Sequence, residues 1–159
     1  MLRSLRLFTL ALPALVASCV NPTSSPPTPV EVPIESTTFA AALGVNLANS
    51  QKLASGMYVR DLVVGAGPLV AAGQTLAMHY SGYLVNGTLF DSNTGASPFT
   101  FRLARGEVIG GWDLGIPGMR VGGQRQLIIP PSLGYGSTGV GGIPGNAVLV
   151  FNVEVVSAQ

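Results

Sequence analysis

Apolar and polar side chains alternate along residues 74–84. Leu76, Met78, Tyr80 and Gly82 fall on one face of an extended chain, and Ala77, His79, Ser81 and Tyr83 fall on the other. Asn86-Gly87 follows, a two-residue turn pattern flanked by aliphatic positions, so the chain predicts a hairpin there. In that hairpin Val85 pairs with Thr88, Tyr83 with Phe90 and Gly82 with Asp91. Asp91 then lies on the face of Tyr80, so register alone brings a phenol and a carboxylate to one place. Further strands are predicted over residues 57–64, 99–103, 123–129 and 147–156. The last carries Ala147, Leu149, Phe151, Val153 and Val155 on its inner face. Residues 110–116 have room for two helical turns before Pro117, with Trp112 and Ile116 on one side. Residues 132–145 hold six glycines and predict a flexible flap. Antiparallel strands forming a half-barrel around one short helix make an α+β domain.

The amino-terminal third follows a different pattern. Arg3 and Arg6 precede an apolar run over residues 7–16, broken by Thr9 and Pro13, which reads as a secretory signal over residues 1–18. The run is too short to span a bilayer as a helix. Leu15-Val16-Ala17-Ser18-Cys19 resembles the lipobox of bacterial lipoproteins. That resemblance implies cleavage before Cys19, lipidation of its thiol and a membrane-anchored protein of the bacterial envelope. Val20 after the cysteine, by similarity to enterobacterial sorting, implies the outer membrane facing the periplasm. Residues 19–36 hold Pro22, Pro26, Pro27, Pro29 and Pro33 among serines and threonines, the composition of an extended tether. Residues 37–56 form an amino-terminal extension in which Phe39, Leu43 and Leu47 are candidates to dock on the domain of residues 57–159.

Composition changes this picture mainly by exclusion. The 159 residues suffice for one domain plus extensions, and only 9% are charged. Removing Arg3 and Arg6 with the signal leaves six Lys and Arg against seven Asp and Glu, scattered along the chain. Nucleic-acid binding needs clustered cations, and none are present. Cys19 is the only cysteine, so no intramolecular disulfide forms. Gly65-Ala66-Gly67 lacks the third glycine of a dinucleotide fingerprint, and Pro68 blocks its helix. His79 is the only histidine and lies opposite the Tyr80 face, so it reads as a strand residue. Neither a metal nor a cofactor is expected, and the protein is expected to be a monomer.

What remains is a set of aromatics around one carboxylate. Taken singly, each reads as core. Their motifs are more telling. His79-Tyr80-Ser81-Gly82, Gly87-Thr88-Leu89-Phe90-Asp91-Ser92 and Pro98-Phe99-Thr100-Phe101 resemble the FKBP-type peptidyl-prolyl cis/trans isomerases. So do Glu107-Val108-Ile109-Gly110-Gly111-Trp112, Gly122-Gly123-Gln124-Arg125, Tyr135-Gly136, Ile143-Pro144 and Leu149-Val150-Phe151. They occur in family order across residues 58–157. The resemblance implies isomerisation of Xaa-Pro bonds in envelope proteins. It implies Tyr80, Phe90, Asp91, Ile109, Trp112, Tyr135 and Phe151 as catalytic residues, with Phe99, Val108 and Ile143 as further substrate-binding residues. Trp112 would be the floor under the proline ring. The Ile109 N–H and the Tyr135 hydroxyl would donate to ligand carbonyls. Proline-containing polypeptides and macrolide immunosuppressant-type ligands are the implied partners, and a non-catalytic proline-segment binder or holdase is the alternative use of the groove. Val140-Gly141-Gly142 departs from the family, replacing a segment that often carries histidine and proline.

Overall fold

The computed structural model describes residues 33–159. The signal segment, Cys19 and the tether up to residue 32 lie outside the described residues.

The core element is a seven-stranded antiparallel sheet: β1 (Gln51–Lys52), β2 (Tyr58–Val63), β3 (Thr75–Leu84), β4 (Leu89–Ser92), β5 (Phe99–Arg102), β6 (Gln124–Ile129) and β7 (Leu149–Ala158). The order is β1-β2-β6-β7-β3-β4, with β5 sharing the outer edge of β3 with β4. One helix, α1 (Gly110–Gly115), packs against this sheet. The α+β architecture expected from the alternation is the one observed.

Alternation separates two apolar layers. Val59, Leu127, Ile129, Leu149, Phe151, Val153 and Val155 point to the helix side with Trp112 and Ile116. Tyr58 and Ile128, their strand neighbours, point the other way into a second cluster. Two glycines let α1 lie close on the sheet. A Cβ on Gly111 would stand 2.6 Å from the Ile129 side chain, and one on Gly115 would stand 2.7 Å from Met57 Cε. Arg125 caps the helix end, donating from Nη1 to the carbonyls of Gly115 (2.8 Å) and Pro117 (3.3 Å). Its other nitrogens form a two-pronged ion pair with Asp61 (2.6 and 3.1 Å).

The second cluster is completed by the extension. Residues 34–49 form three short 3-10 turns. Ile34 is buried, and Phe39, Val45 and Leu47 pack with it over Tyr58, Ile128 and Val148. Polar contacts close this strap. The Ala40 N–H donates to the Val85 carbonyl (2.8 Å), and Arg60 donates to the Gly44 carbonyl (2.7 Å). Gln126, the buried polar side chain of β6, donates to the Leu43 carbonyl (2.9 Å). Glu35 accepts from both Lys52 and Tyr58 at 2.5 Å. Sequence places Ile34 in the tether, but its side chain has an apolar surface to cover.

The hairpin register needs two corrections. The loop has three residues, Val85, Asn86 and Gly87, because the Leu84 N–H pairs with the Thr88 carbonyl (2.9 Å). Tyr83 therefore faces Leu89 instead of Phe90. A bulge at Phe90 then restores the register, and Gly82 pairs with Asp91 as expected.

Candidate functional site

A cavity of about 540 Å³ opens on the helix side of the sheet, lined by Tyr80, Asp91, Phe99, Gly106, Glu107, Val108, Ile109, Trp112, Tyr135 and Phe151. Its floor is Trp112, which α1 turns into the sheet with only 4% of its surface exposed. Four rings surround the indole: Tyr80 at 5.1 Å, Phe151 at 5.5 Å, Phe101 at 5.6 Å and Phe99 at 6.3 Å between centroids. The Phe151 and Tyr80 rings stand nearly upright to it, at 87° and 75°. Such edge-to-face contacts hold ring orientation as well as area, at about 0.5–1.5 kcal/mol per pair. The result is a rigid apolar box with one open side.

Polar groups gather at one end. The Tyr80 hydroxyl donates to Asp91 Oδ2 at 2.8 Å. Burial, reinforced by this hydrogen bond, pushes the Tyr80 phenol up to about 12. It therefore stays protonated and remains a donor at neutral pH. Burial also raises the Tyr135 phenol, with the Asp91 charge adding to it. Among the described residues neither the Tyr135 hydroxyl nor the Ile109 N–H has a hydrogen-bond partner, so both are free to donate to a bound carbonyl.

Two carboxylates shape the segment leading to Val108 and Ile109. Glu107 accepts from the Arg102 N–H (2.9 Å) and from Arg102 Nε (3.0 Å). Asp113 accepts from the N–H groups of Ala104 (2.8 Å) and Gly106 (2.9 Å). Ala104 and Gly106 both have positive φ, and the Asp113 bonds hold that strained turn in place. Sequence reading named Glu107 only as part of a motif, without a role at the site, and passed over Gly106 and Asp113. The available signal was the presence of two charges beside the tryptophan in a chain so poor in charge.

With this geometry in view, the comparisons decide the family. Residues 67–156 match the family model described as FKBP-type peptidyl-prolyl cis-trans isomerase. The chain belongs to this FKBP-type family. It is 51% identical over 108 residues to FK506-binding protein 4 of Emericella nidulans, covering 68% of this chain and 22% of that protein. It is 47% identical over 110 residues to a peptidyl-prolyl cis-trans isomerase of Saccharomyces cerevisiae, covering 69% of this chain and 27% of that one. The chain thus spans about a quarter of the length of these curated relatives. Solved structures agree. AtFKBP13 aligns with a TM-score of 0.64 and 44% identity over 69% of this chain and 98% of its own. FkpA from Escherichia coli aligns with a TM-score of 0.64 and 36% identity over 70% of this chain and 52% of its own.

Within this FKBP-type cavity the structure gathers eight residues named from sequence: Tyr80, Asp91, Phe99, Val108, Ile109, Trp112, Tyr135 and Phe151. Phe90 and Ile143 do not line it. They lie in an adjoining hollow of about 390 Å³ with Leu89, Val140 and Gly142, and that hollow shares Asp91 and Tyr135 with the main cavity. The bulge turns Phe90 behind the wall, where its ring meets Phe151 edge-on at 5.4 Å. The glycine-rich loop folds on itself: Val140 and Ile143 exchange backbone hydrogen bonds, and the Asn146 N–H donates to the Gly136 carbonyl (2.9 Å). A Cβ on Gly139 would meet the Ile143 carbonyl at 2.2 Å, so this glycine serves close packing as well as turning. His79 faces away from the cavity floor, among Leu62, Gln124 and Glu154.

Proposed function

We propose that this protein accelerates cis/trans isomerisation of Xaa-Pro bonds. The observation that carries the reading is the apolar ring box over Trp112 with the Tyr80–Asp91 pair at its open end. Rotation about a peptide bond faces a barrier of about 18–20 kcal/mol because planarity sustains charge-separated resonance. Twisting the bond removes that resonance and makes the amide less dipolar. An apolar box therefore disfavours the planar amide more than the twisted one, which is differential binding of the transition state. A ten-thousandfold acceleration requires about 5.5 kcal/mol. Desolvation by Trp112, Phe99 and Phe151 supplies part of it. Donation from the Ile109 N–H and the Tyr135 hydroxyl aligns the flanking carbonyls. Asp91 holds Tyr80 in place and sets the polarity beside the twisting bond. No group with a neutral-range proton transfer is required.

The same box suits macrolide immunosuppressant-type ligands, consistent with relatives named as FK506-binding proteins. The amino-terminal pattern supports a bacterial envelope lipoprotein anchored through Cys19, acting on envelope polypeptides during folding; this part rests on residues 1–19 alone. A proline-limited refolding assay with the chain lacking residues 1–18 tests the activity. Acceleration that is lost on adding FK506 supports it. Binding of proline peptides with an unchanged refolding rate would instead make the groove a holdase.

A further inference from the structure

Strand β3 has an outer edge divided between two partners. Residues 75–78 pair with β5, and residues 81–83 pair with β4. Tyr80 lies in the break between them. Its backbone groups face that break, yet they are satisfied. The N–H of Tyr80 donates to Asn93 Oδ1 (2.8 Å), and Asn93 Nδ2 donates to the Met78 carbonyl (2.9 Å). The Asn93 N–H donates back to the Tyr80 carbonyl (3.2 Å), which also accepts from Ser92 Oγ (3.0 Å). The amide orientation follows from its partners, since an N–H only donates and a carbonyl only accepts.

We infer that Asn93 is a positioning residue for the Tyr80–Asp91 pair, its side-chain amide standing in for the strand that β3 lacks at this point. A side-chain amide places an N–H donor group beside a carbonyl acceptor, the alternation that a strand edge requires. A carboxylate lacks the donor, and a hydroxyl is too short to serve both partners. Asn93 is two residues from Asp91 and grips the backbone of Tyr80, so it sets both members of the pair. Its carbonyl also accepts from the Ala96 N–H (3.0 Å), closing the turn that delivers Phe99 to the cavity mouth. Asn93 does not line the cavity. The inference deepens the isomerase reading and rests on it for the kinetic arm of its test.

The test compares Asn93→Asp, Asn93→Ala and the wild type on one Xaa-Pro peptide. Asn93→Asp keeps volume and the acceptor for Tyr80, but sets an oxygen against the Met78 carbonyl. At pH 7.5 its kcat/KM is expected to fall about tenfold, the scale of one buried hydrogen bond exchanged for a repulsion. As pH drops toward about 4, its carboxyl gains a proton and can donate to Met78 again, so the ratio to wild type should climb. Asn93→Ala should lose rate at every pH. A purely structural role would show in unfolding midpoints without this recovery. Independently of activity, the ¹³Cζ signal of Tyr80 should move in Asn93→Ala, reporting a displaced hydroxyl. Unchanged kcat/KM and an unchanged Tyr80 signal in a folded Asn93→Ala would overturn the inference. If that variant does not fold, a flat activity ratio for Asn93→Asp would do so. An inactive wild type would instead sink the isomerase reading, and the Tyr80 signal would still decide the role of Asn93.

Discussion

Gly82 and Phe151 are cross-strand partners, and the Phe151 ring occupies the space where a side chain on Gly82 would begin. A Cβ there would stand 2.7 Å from Phe151 Cε1 and 2.6 Å from Phe90 Cζ. The glycine thus admits two rings to one place, one forming the cavity wall and the other bracing it. Gly82→Ala should push both rings aside. Overpacking of this kind costs about 1–3 kcal/mol. Chemical denaturation should show that loss, and isomerase rate should fall beyond what the unfolded fraction explains.

Phe99 and Phe151 should separate shape from stability. Phe151 is 2% exposed and Phe99 is 42% exposed. Phe151→Ala is a core truncation and should cost about 3–5 kcal/mol along with activity. Phe99→Ala opens the mouth of the box and should lower kcat/KM strongly at little cost in unfolding midpoint. Equal stability losses for the two variants would contradict this division of labour.

The polar end should behave as a fixed dipole and not as an acid–base pair. Asp91→Asn keeps the shape and should cost about tenfold, less than the roughly 10²–10⁴-fold expected for a lost proton-transfer group. The rate should be flat from about pH 5 to 8, and His79→Ala should leave it unchanged. At high pH the sign is set by the raised Tyr80 phenol. Its folded pKa of about 12 lies above the ordinary 10.0, so the stability it confers is intact below 10 and lost as pH rises through 12. Tyr80→Phe should flatten that alkaline decline. A bell-shaped rate profile that vanishes in His79→Ala would overturn the mechanism.

The strap should respond to acid. The hydrogen bond from Lys52, followed by that from Tyr58, lowers the Glu35 carboxyl from 4.5 to about 2. A lowered carboxyl contributes stability above its ordinary value, and that contribution is lost as pH falls from 4.5 toward 2. Amide exchange at Ala40 should quicken over that range. Glu35→Gln should show fast exchange at neutral pH already, with the exchange of β6 and β7 unaffected.

The proposed lipidation of Cys19 has a direct readout. Cys19→Ser should release the protein from membranes or leave an uncleaved precursor. An unmodified Cys19 in membrane-bound protein, seen by mass spectrometry, would count against the anchor.

Alternation made β3 and the inner face of β7 legible, because a half-buried sheet demands period two. The Gly82–Asp91 pairing was reached although the turn was misread. The loop is one residue longer than Asn-Gly implies, and the bulge at Phe90 removes the same offset. That bulge has no local signature, and Phe90 was placed in the cavity by its family motif and not by register. The strap was illegible for a different reason. Its 3-10 turns have no period, and Gly44, Asn46 and Asn49 dilute its apolar residues, so its order comes from tertiary contacts with Tyr58 and Ile128. Asn93 looked like an ordinary loop residue, because nothing local reveals a broken strand edge across from it. The aromatic box became a site through family motifs. By residue type alone, a cavity wall and a core ring are the same.

The strap lies behind the sheet, whereas the cavity opens on the helix side. Ile34 is therefore held on the rear of the sheet, away from the cavity mouth. The strap itself casts no steric shadow over the cavity, whose open side faces the other hemisphere. Tension applied at Pro33 would meet the contacts of Ile34 and Glu35, then those of Ala40, Leu43 and Gly44, before reaching any strand of the site, making the strap a strain relief for the pocket.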